Sequence, residues 1–285
     1  MQNVIQAGAR AVSGEPADKQ EYHKLQPLND KALEDMEKVR GQLVHHTTQP
    51  PGPDPHQTNH QGAPTEEEAA YEKIVRIGFI RKVYGILSFQ LLLTCAFSGA
   101  MMNVESFQNY ALKNHWLMTS AMIMSFVVLF ALMVKKDEHP TNMYLLTGFT
   151  ICEAYTIGVV CASFSQNGMG HLILQAAGLT ALVFVSLTAY TFTSKTDFSF
   201  MGAGLYSALW MMIGWGFFCF IFGFQPGYLY SLAGAMLFSL FIIYDTWMIL
   251  NKFGPDDYIM ASIQLYLDII NLFLYILEIL SNDRS

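Results

Sequence analysis

Four carboxylates stand inside apolar runs of this chain: Glu153, Asp245, Asp268 and Glu278. A charge at the centre of a membrane-spanning helix costs roughly 2.5–3.5 kcal/mol on insertion scales, so such a residue reads first as functional. Two of them fall on consecutive runs, FIIYDTWMIL (Phe241–Leu250) and YIMASIQLYLDIIN (Tyr258–Asn271). If these runs pair, Asp245 and Asp268 cannot both stay ionised cheaply. They share a proton, or a cation or base neutralises them. That chemistry suits a pH-responsive latch. Calcium requires hard oxygen ligands, which Asp245 and Asp268 supply. Sodium or proton pathways need the same groups, so spacing does not choose the ion.

The last run carries a second signal. Gln264, Asp268, Asn271, Tyr275 and Glu278 follow i, i+4, i+7, i+11 and i+14, which gathers them on one stripe of a helix. Tyr266 alone among its strongly polar residues falls off that stripe. A polar stripe on an apolar helix belongs against protein or a water path, not lipid. Counting from the ends of the runs puts Asp245 about 8 Å from one end, and Asp268 and Glu153 about 15 Å deep. Glu153 is thus a candidate pore residue beside the stripe, and Glu278 reaches toward the far interface. Lys135 and Lys136 are the basic residues best placed to reach Asp245, with Lys252 as the rival.

The elements that must position these groups are apolar helices. The chain has 285 residues, of which 52% are hydrophobic and 14% charged, against about 25% charged in an ordinary soluble domain. Seven spans are expected, near Val83–Met102, Trp116–Val134, Met143–Phe164, His171–Thr193, Gly202–Phe224, Gly227–Leu250 and Tyr258–Leu280. Each is long enough for about 30 Å of hydrocarbon, and none contains Lys or Arg. Lys73, Arg76, Arg81, Lys82, Lys135, Lys136, Lys195 and Lys252 fall on one side, Lys113 and Arg284 on the other. The basic side is the cytosolic one, so the N-terminus is expected in the cytosol and the C-terminus in the lumen or outside. The expected fold is therefore all-α and polytopic, with the bilayer as its first partner. Spans near 20 residues suit the thinner ER and Golgi bilayers.

Residues 1–70 differ. They hold seven of the ten prolines and five of the eight histidines, and their composition predicts a disordered tail. Within it, Ala32, Met36, Val39 and Leu43 recur at helical spacing, so 30–44 is a candidate short amphipathic helix. No apolar signal-peptide core occurs in Met1–Gln20, so the first span is expected to act as the targeting signal. Thr65 and Glu68 fit a capping box, opening a helix expected to lie along the membrane surface and turn inward at Arg81–Lys82. The net charge of −7 argues against nucleic-acid binding. Cys95, Cys152, Cys161 and Cys219 lie in apolar runs and read as packing residues. No nucleophile elbow, P-loop, dinucleotide fingerprint or zinc-protease motif occurs, so neither enzyme activity nor a cofactor is expected.

FIIYDT (Phe241–Thr246) followed by GPDDYIMASIQLYLDIINLFL (Gly254–Leu274) resembles the signature hairpin of the Bax inhibitor-1 superfamily. RIGFIRKVYGILSFQLLLT (Arg76–Thr94), PTNMYLLTGFTICEA (Pro140–Ala154) and LTAYTFTSKTDFSFMGAGLY (Leu187–Tyr206) extend the resemblance to its lifeguard branch, and most of all to the Golgi anti-apoptotic group. The resemblance covers residues 71–280. It implies a seven-helix fold with span 7 at the centre and a di-aspartyl pH sensor formed by Asp245 and Asp268. It further implies a pH-dependent calcium leak from Golgi or ER stores and suppression of apoptosis. Bacterial relatives use a span-2 arginine as latch partner; the nearest position here is Lys135, which lacks the bidentate guanidinium. Glu153 fits the lifeguard pattern. The alternative expectation is a non-conducting regulator that binds other membrane proteins, such as release channels or death-pathway components.

Overall fold

The computed structural model describes residues 66–225 and 227–282. The expected tail disorder, the 30–44 helix and the Thr65 cap lie outside the described residues. Those residues form eight helices: α1 (Glu66–Asn103), α2 (Glu105–Lys113), α3 (His115–Lys135), α4 (Thr141–Gln166), α5 (Gly170–Thr193), α6 (Met201–Phe222), α7 (Tyr228–Asn251) and α8 (Tyr258–Asn282). All but α2 are long and apolar enough to cross a membrane. The all-helical, seven-span expectation holds, and the chain is a multi-pass membrane protein.

Helix α8 is the centre. It packs on α7, α5 and α1, and its ring contact from Tyr266 to Phe149 brings in α4. Ile263, Leu265, Tyr266 and Leu272 on it are almost fully buried. At the rim, α3 fully buries only Ser125 and Leu132, and α6 only Gly202, Leu205 and Cys219. Many of their other apolar side chains, Phe126, Phe130, Phe217 and Phe220 among them, point outward. In a bilayer that outward face meets lipid, which is why these helices are apolar all round.

Two expectations need correction. The chain does not turn at Arg81–Lys82: α1 is one uninterrupted helix of 38 residues, about 57 Å long and well beyond a 30 Å core. No proline interrupts it. Its early part is held beside the α7–α8 turn, where Arg76 Nη1 donates to Phe253 O at 2.6 Å and Ile249 O at 3.3 Å. Lys82 Nζ lies 3.2 Å from the centre of the Tyr258 ring. Those contacts replace the expected membrane-surface position. Helix α2 was not expected, because nine residues between spans read as loop. Its Phe107 and Ala111 pack with Met101, Val159 and Ala162, and Gln108 Nε2 donates to Ala162 O at 3.2 Å.

Close packing around the aspartate-bearing hairpin depends on small residues. A Cβ added to Gly234 of α7 would come within 2.6 Å of the Tyr275 ring of α8, and one at Gly202 of α6 within 2.6 Å of the Tyr244 hydroxyl. At Gly204 a Cβ would meet nothing within 4 Å. Opposite the α7–α8 turn, Gly223 adopts φ 72° and closes α6, with Phe224 N–H on Cys219 O at 3.0 Å, a Schellman stop.

Gly234→Ala should therefore lower stability by about 1–3 kcal/mol through overpacking. Gly204→Ala should be neutral or raise stability by up to about 1 kcal/mol through helix propensity. Thermal unfolding of the two purified variants in the same detergent measures the contrast. Equal melting temperatures would refute the Tyr275 seat.

Candidate functional site

Asp245 sits on α7 and Asp268 on α8, 4% and 5% exposed. The α7–α8 turn makes these helices antiparallel neighbours, and that pairing brings the two carboxyls together in a hydrogen bond. Carboxylates offer only lone pairs, so this bond needs a proton on one of the two. Without that proton, Asp268 Oδ2 is buried with no donor among the described residues. Neither aspartate has an ion-pair partner among the described residues. Tyr206 of α6 lies within electrostatic reach of both, its ring edge-on to Phe241 at 5.5 Å. Sequence reasoning passed over Tyr206; its spacing of four from Gly202, which opens α6 to Tyr244, was the available signal.

The stripe on α8 divides into parts. Gln264 Oε1 is buried without a donor among the described residues. Asn271 Nδ2 donates to Leu267 O of its own helix at 2.8 Å. Tyr275 rests on Gly234, stacks on Phe238 at 5.8 Å and hydrogen-bonds Tyr230. Tyr230 in turn donates to Met212 O at 3.1 Å. Glu278 lies one turn beyond, within reach of the Tyr275 phenol. An aromatic plug thus stands between Asp268 and Glu278.

Glu153 is not beside the aspartates. Its carboxyl hydrogen-bonds Ser125 of α3 and lies in electrostatic reach of Tyr266. Tyr266 is two positions from Asp268, so it points to the opposite side of α8. Lys135 does not reach the aspartates either. Its ammonium pairs with Glu138 at 2.6 Å, both exposed, because that acid lies one turn away at the mouth of α3. Lys136 pairs with Asp257 at 2.9 Å, and Lys252 lies 5.6 Å from the Trp247 ring. The cations near this end serve the α7–α8 turn: Arg76 and Lys136 both hold it, and sequence reading had assigned neither that role.

Seven spans around an acidic pair on two interior helices define a multi-pass membrane protein with two buried, neighbouring carboxyls. Residues 76–285 match the family described as Inhibitor of apoptosis-promoting Bax1. A Golgi anti-apoptotic protein of Vaccinia virus (strain Lister) is 41% identical over 207 residues, 72% of this chain and 86% of its own. Protein lifeguard 4 of Mus musculus is 38% identical over 207 residues, covering 72% and 85%. Bax inhibitor 1 of Schizosaccharomyces pombe is 38% identical over 230 residues, covering 78% and 84%. The chain belongs to the Bax inhibitor-1 family, and the aspartate-bearing α7–α8 hairpin lies within the matched region.

Lys136 donates to Asp257 Oδ1 at 2.9 Å, and the Gly254 N–H to Oδ2 at 3.0 Å. The Lys136 ammonium chiefly, then the Gly254 donor, holds the Asp257 carboxyl below the usual carboxylate range. Asp257 in turn raises the Lys136 ammonium above its ordinary value. A lowered carboxyl contributes stability above its unfolded value of about 3.9 and loses it as pH falls through the lower folded value. A raised ammonium contributes below about 10.4 and loses it as pH rises through the higher folded value. The pair is thus constant from roughly pH 4 to 10 and cannot supply a neutral-range pH response. Lys136→Met should lower the melting temperature by a fixed amount across about pH 5–9, the gap closing below about pH 4. A gap that changes near neutrality in a melting-temperature series would contradict this.

Proposed function

We propose that this chain is a pH-sensitive calcium leak channel of an intracellular membrane, with Asp245 and Asp268 as its proton-operated gate. The observation that carries the reading is the buried contact between these two carboxyls, with no cation beside them among the described residues. In the closed form one proton bridges the pair. Its loss leaves two like charges in contact, and their repulsion favours separation of α7 from α8 and entry of water or a cation. Calcium takes six to eight oxygen ligands. Among the described residues no group of three or more His, Cys, Asp or Glu side chains assembles a metal site. Two carboxylates completed by carbonyls and water suit an ion that passes, not one that is stored.

The names of the relatives support a role in restraining apoptosis and a Golgi membrane. Store calcium links the two, since a leak sets how much calcium a death signal can release. The basic residues support a cytosolic position for the α7–α8 turn, which puts Asp245 nearer the cytosol and Glu278 nearer the lumen.

A second reading, a non-conducting regulator of other membrane proteins, draws on the aromatic plug. Tyr275 on Gly234, stacked against Phe238, closes the stripe between Asp268 and Glu278 in this conformation. In that reading the aspartates only stabilise the bundle.

Purified protein in calcium-free liposomes, assayed for calcium entry across about pH 5–8, separates the two. A leak channel gives flux that varies with pH, and Asp245→Asn and Asp268→Asn each flatten the profile. Unchanged profiles in both variants would sink the gate. Absence of flux from folded protein at every pH would favour the regulator.

A further inference from the structure

Between α1 and α4 runs a groove of about 230 Å³ that no described residue fills. Gly85, Ile86, Phe89 and Gln90 line it from α1, and Leu146 and Thr150 from α4. Its walls are mostly apolar, and its size suits one hydrocarbon chain, not two. A Cβ added to Gly85 would meet nothing within 4 Å, so the floor is open there. Phe89 is 57% exposed and marks the side that faces lipid. At the inner end the wall turns polar. Gln90 is fully buried, and its Nε2 donates to Thr150 Oγ1 at 3.1 Å. Protons fix that orientation of the amide: Thr150 Oγ1 already donates to Leu146 O at 2.8 Å, so it can only accept from Gln90. Gln90 Oε1 is left buried with no donor among the described residues.

An unmet acceptor beside hydrocarbon is costly, and the lining does not relieve it. Thr147, also in the wall, spends its proton on Met143 O at 2.9 Å. A ligand that fits must therefore bring a donor. A lone hydroxyl on an apolar chain does so. The ester carbonyls of a diacyl lipid bring acceptors instead, and for those the lining side chains hold at most the second Gln90 N–H. The other end of the groove suits an anionic head. Arg81 lies one turn before Gly85 on the same face of α1, exposed and in no ion pair among the described residues. Arg81 and Gln90 are nine positions apart, about 14 Å along the helix.

We propose that the α1–α4 groove binds a single-chain hydroxylated fatty acid. Its carboxylate meets Arg81, its chain lies over Gly85 and Ile86, and its mid-chain hydroxyl donates to Gln90 Oε1. That oxygen is covered in the unfilled groove, so Phe89 swings toward lipid to admit the hydroxyl. The Gln90–Thr150 bond is kept, because the ligand uses only the free end of the amide. This site is separate from the aspartate pair, and its readout does not depend on conduction.

The test is equilibrium binding to the full chain in lipid nanodiscs, with empty nanodiscs as background. The probes are radiolabelled ricinoleate, which carries a mid-chain hydroxyl, and oleate, the same chain without it. Wild type should hold ricinoleate roughly two- to tenfold more tightly than oleate, the range of one net hydrogen bond. Gln90→Leu should bind the two equally. Gly85→Leu, whose Cβ meets no neighbour, should fill the floor and weaken both. Equal affinities in wild type, or a preference that survives Gln90→Leu, would overturn the proposal. Should Gln90→Leu not fold, unchanged binding in Gly85→Leu overturns it alone.

Discussion

Two carboxyls buried side by side, with no basic side chain paired to either among the described residues, cannot both stay ionised cheaply. The rest of the bundle makes that contact unavoidable. The α7–α8 turn fixes the two helices as antiparallel neighbours, and glycine at 234 lets α8 approach α7 closely through Tyr275. Apolar α6 at the rim, packed on α7, adds to the shield from lipid. An unshielded pair would hydrate and separate; a pair with a lysine would be a permanent ion pair, indifferent to pH near neutrality.

That second alternative explains where the cations are. Arg76 donates to Phe253 O and Ile249 O at the C-terminal end of α7, where the helix dipole is negative and the last carbonyls lack partners. Lys136 holds Asp257 just before α8 begins, and Lys82 lies on the Tyr258 ring. Three basic residues from α1 and α3 thus brace the turn. None neutralises the pair within the bundle. Keeping positive charge at the turn fixes the hairpin while leaving the aspartates without a basic side-chain partner among the described residues.

The seven spans were legible because hydrocarbon thickness imposes about 20 apolar residues on each, a constraint that needs no knowledge of neighbours. That one face of span 7 meets protein or water was legible from its polar stripe, because lipid would not tolerate one, while its place at the centre was implied by the family resemblance. Less legible were matters of reach. Lys135 and Lys136 are adjacent in sequence, yet one pairs with Glu138 and the other with Asp257. Their directions are set by helical phase and by where α3 stops. The continuity of α1 past Arg81 depends on Arg76 finding α7, a contact 173 residues away. Helix α2 is too short to form from propensity alone; it exists because Phe107 and Ala111 have α4 to pack on.

Glu153 shows most clearly what spacing omits. Its depth matched that of Asp268, and equal depth suggested one shared site. Depth fixes position along the membrane normal but not around it. Tyr266, the residue that broke the stripe, reports the missing angle, because it points about 200° away from Asp268 on α8. One helix therefore carries polar contacts on opposite sides, to α7 through Asp268 and to α1 through Tyr266. Turning α8 to relieve a deprotonated aspartate pair would also move Tyr266 against Thr94. Sliding α8 along its axis would shift both contacts together. The geometry thus makes the two sides of α8 mechanically dependent, even though about half a helical turn separates their chemistry.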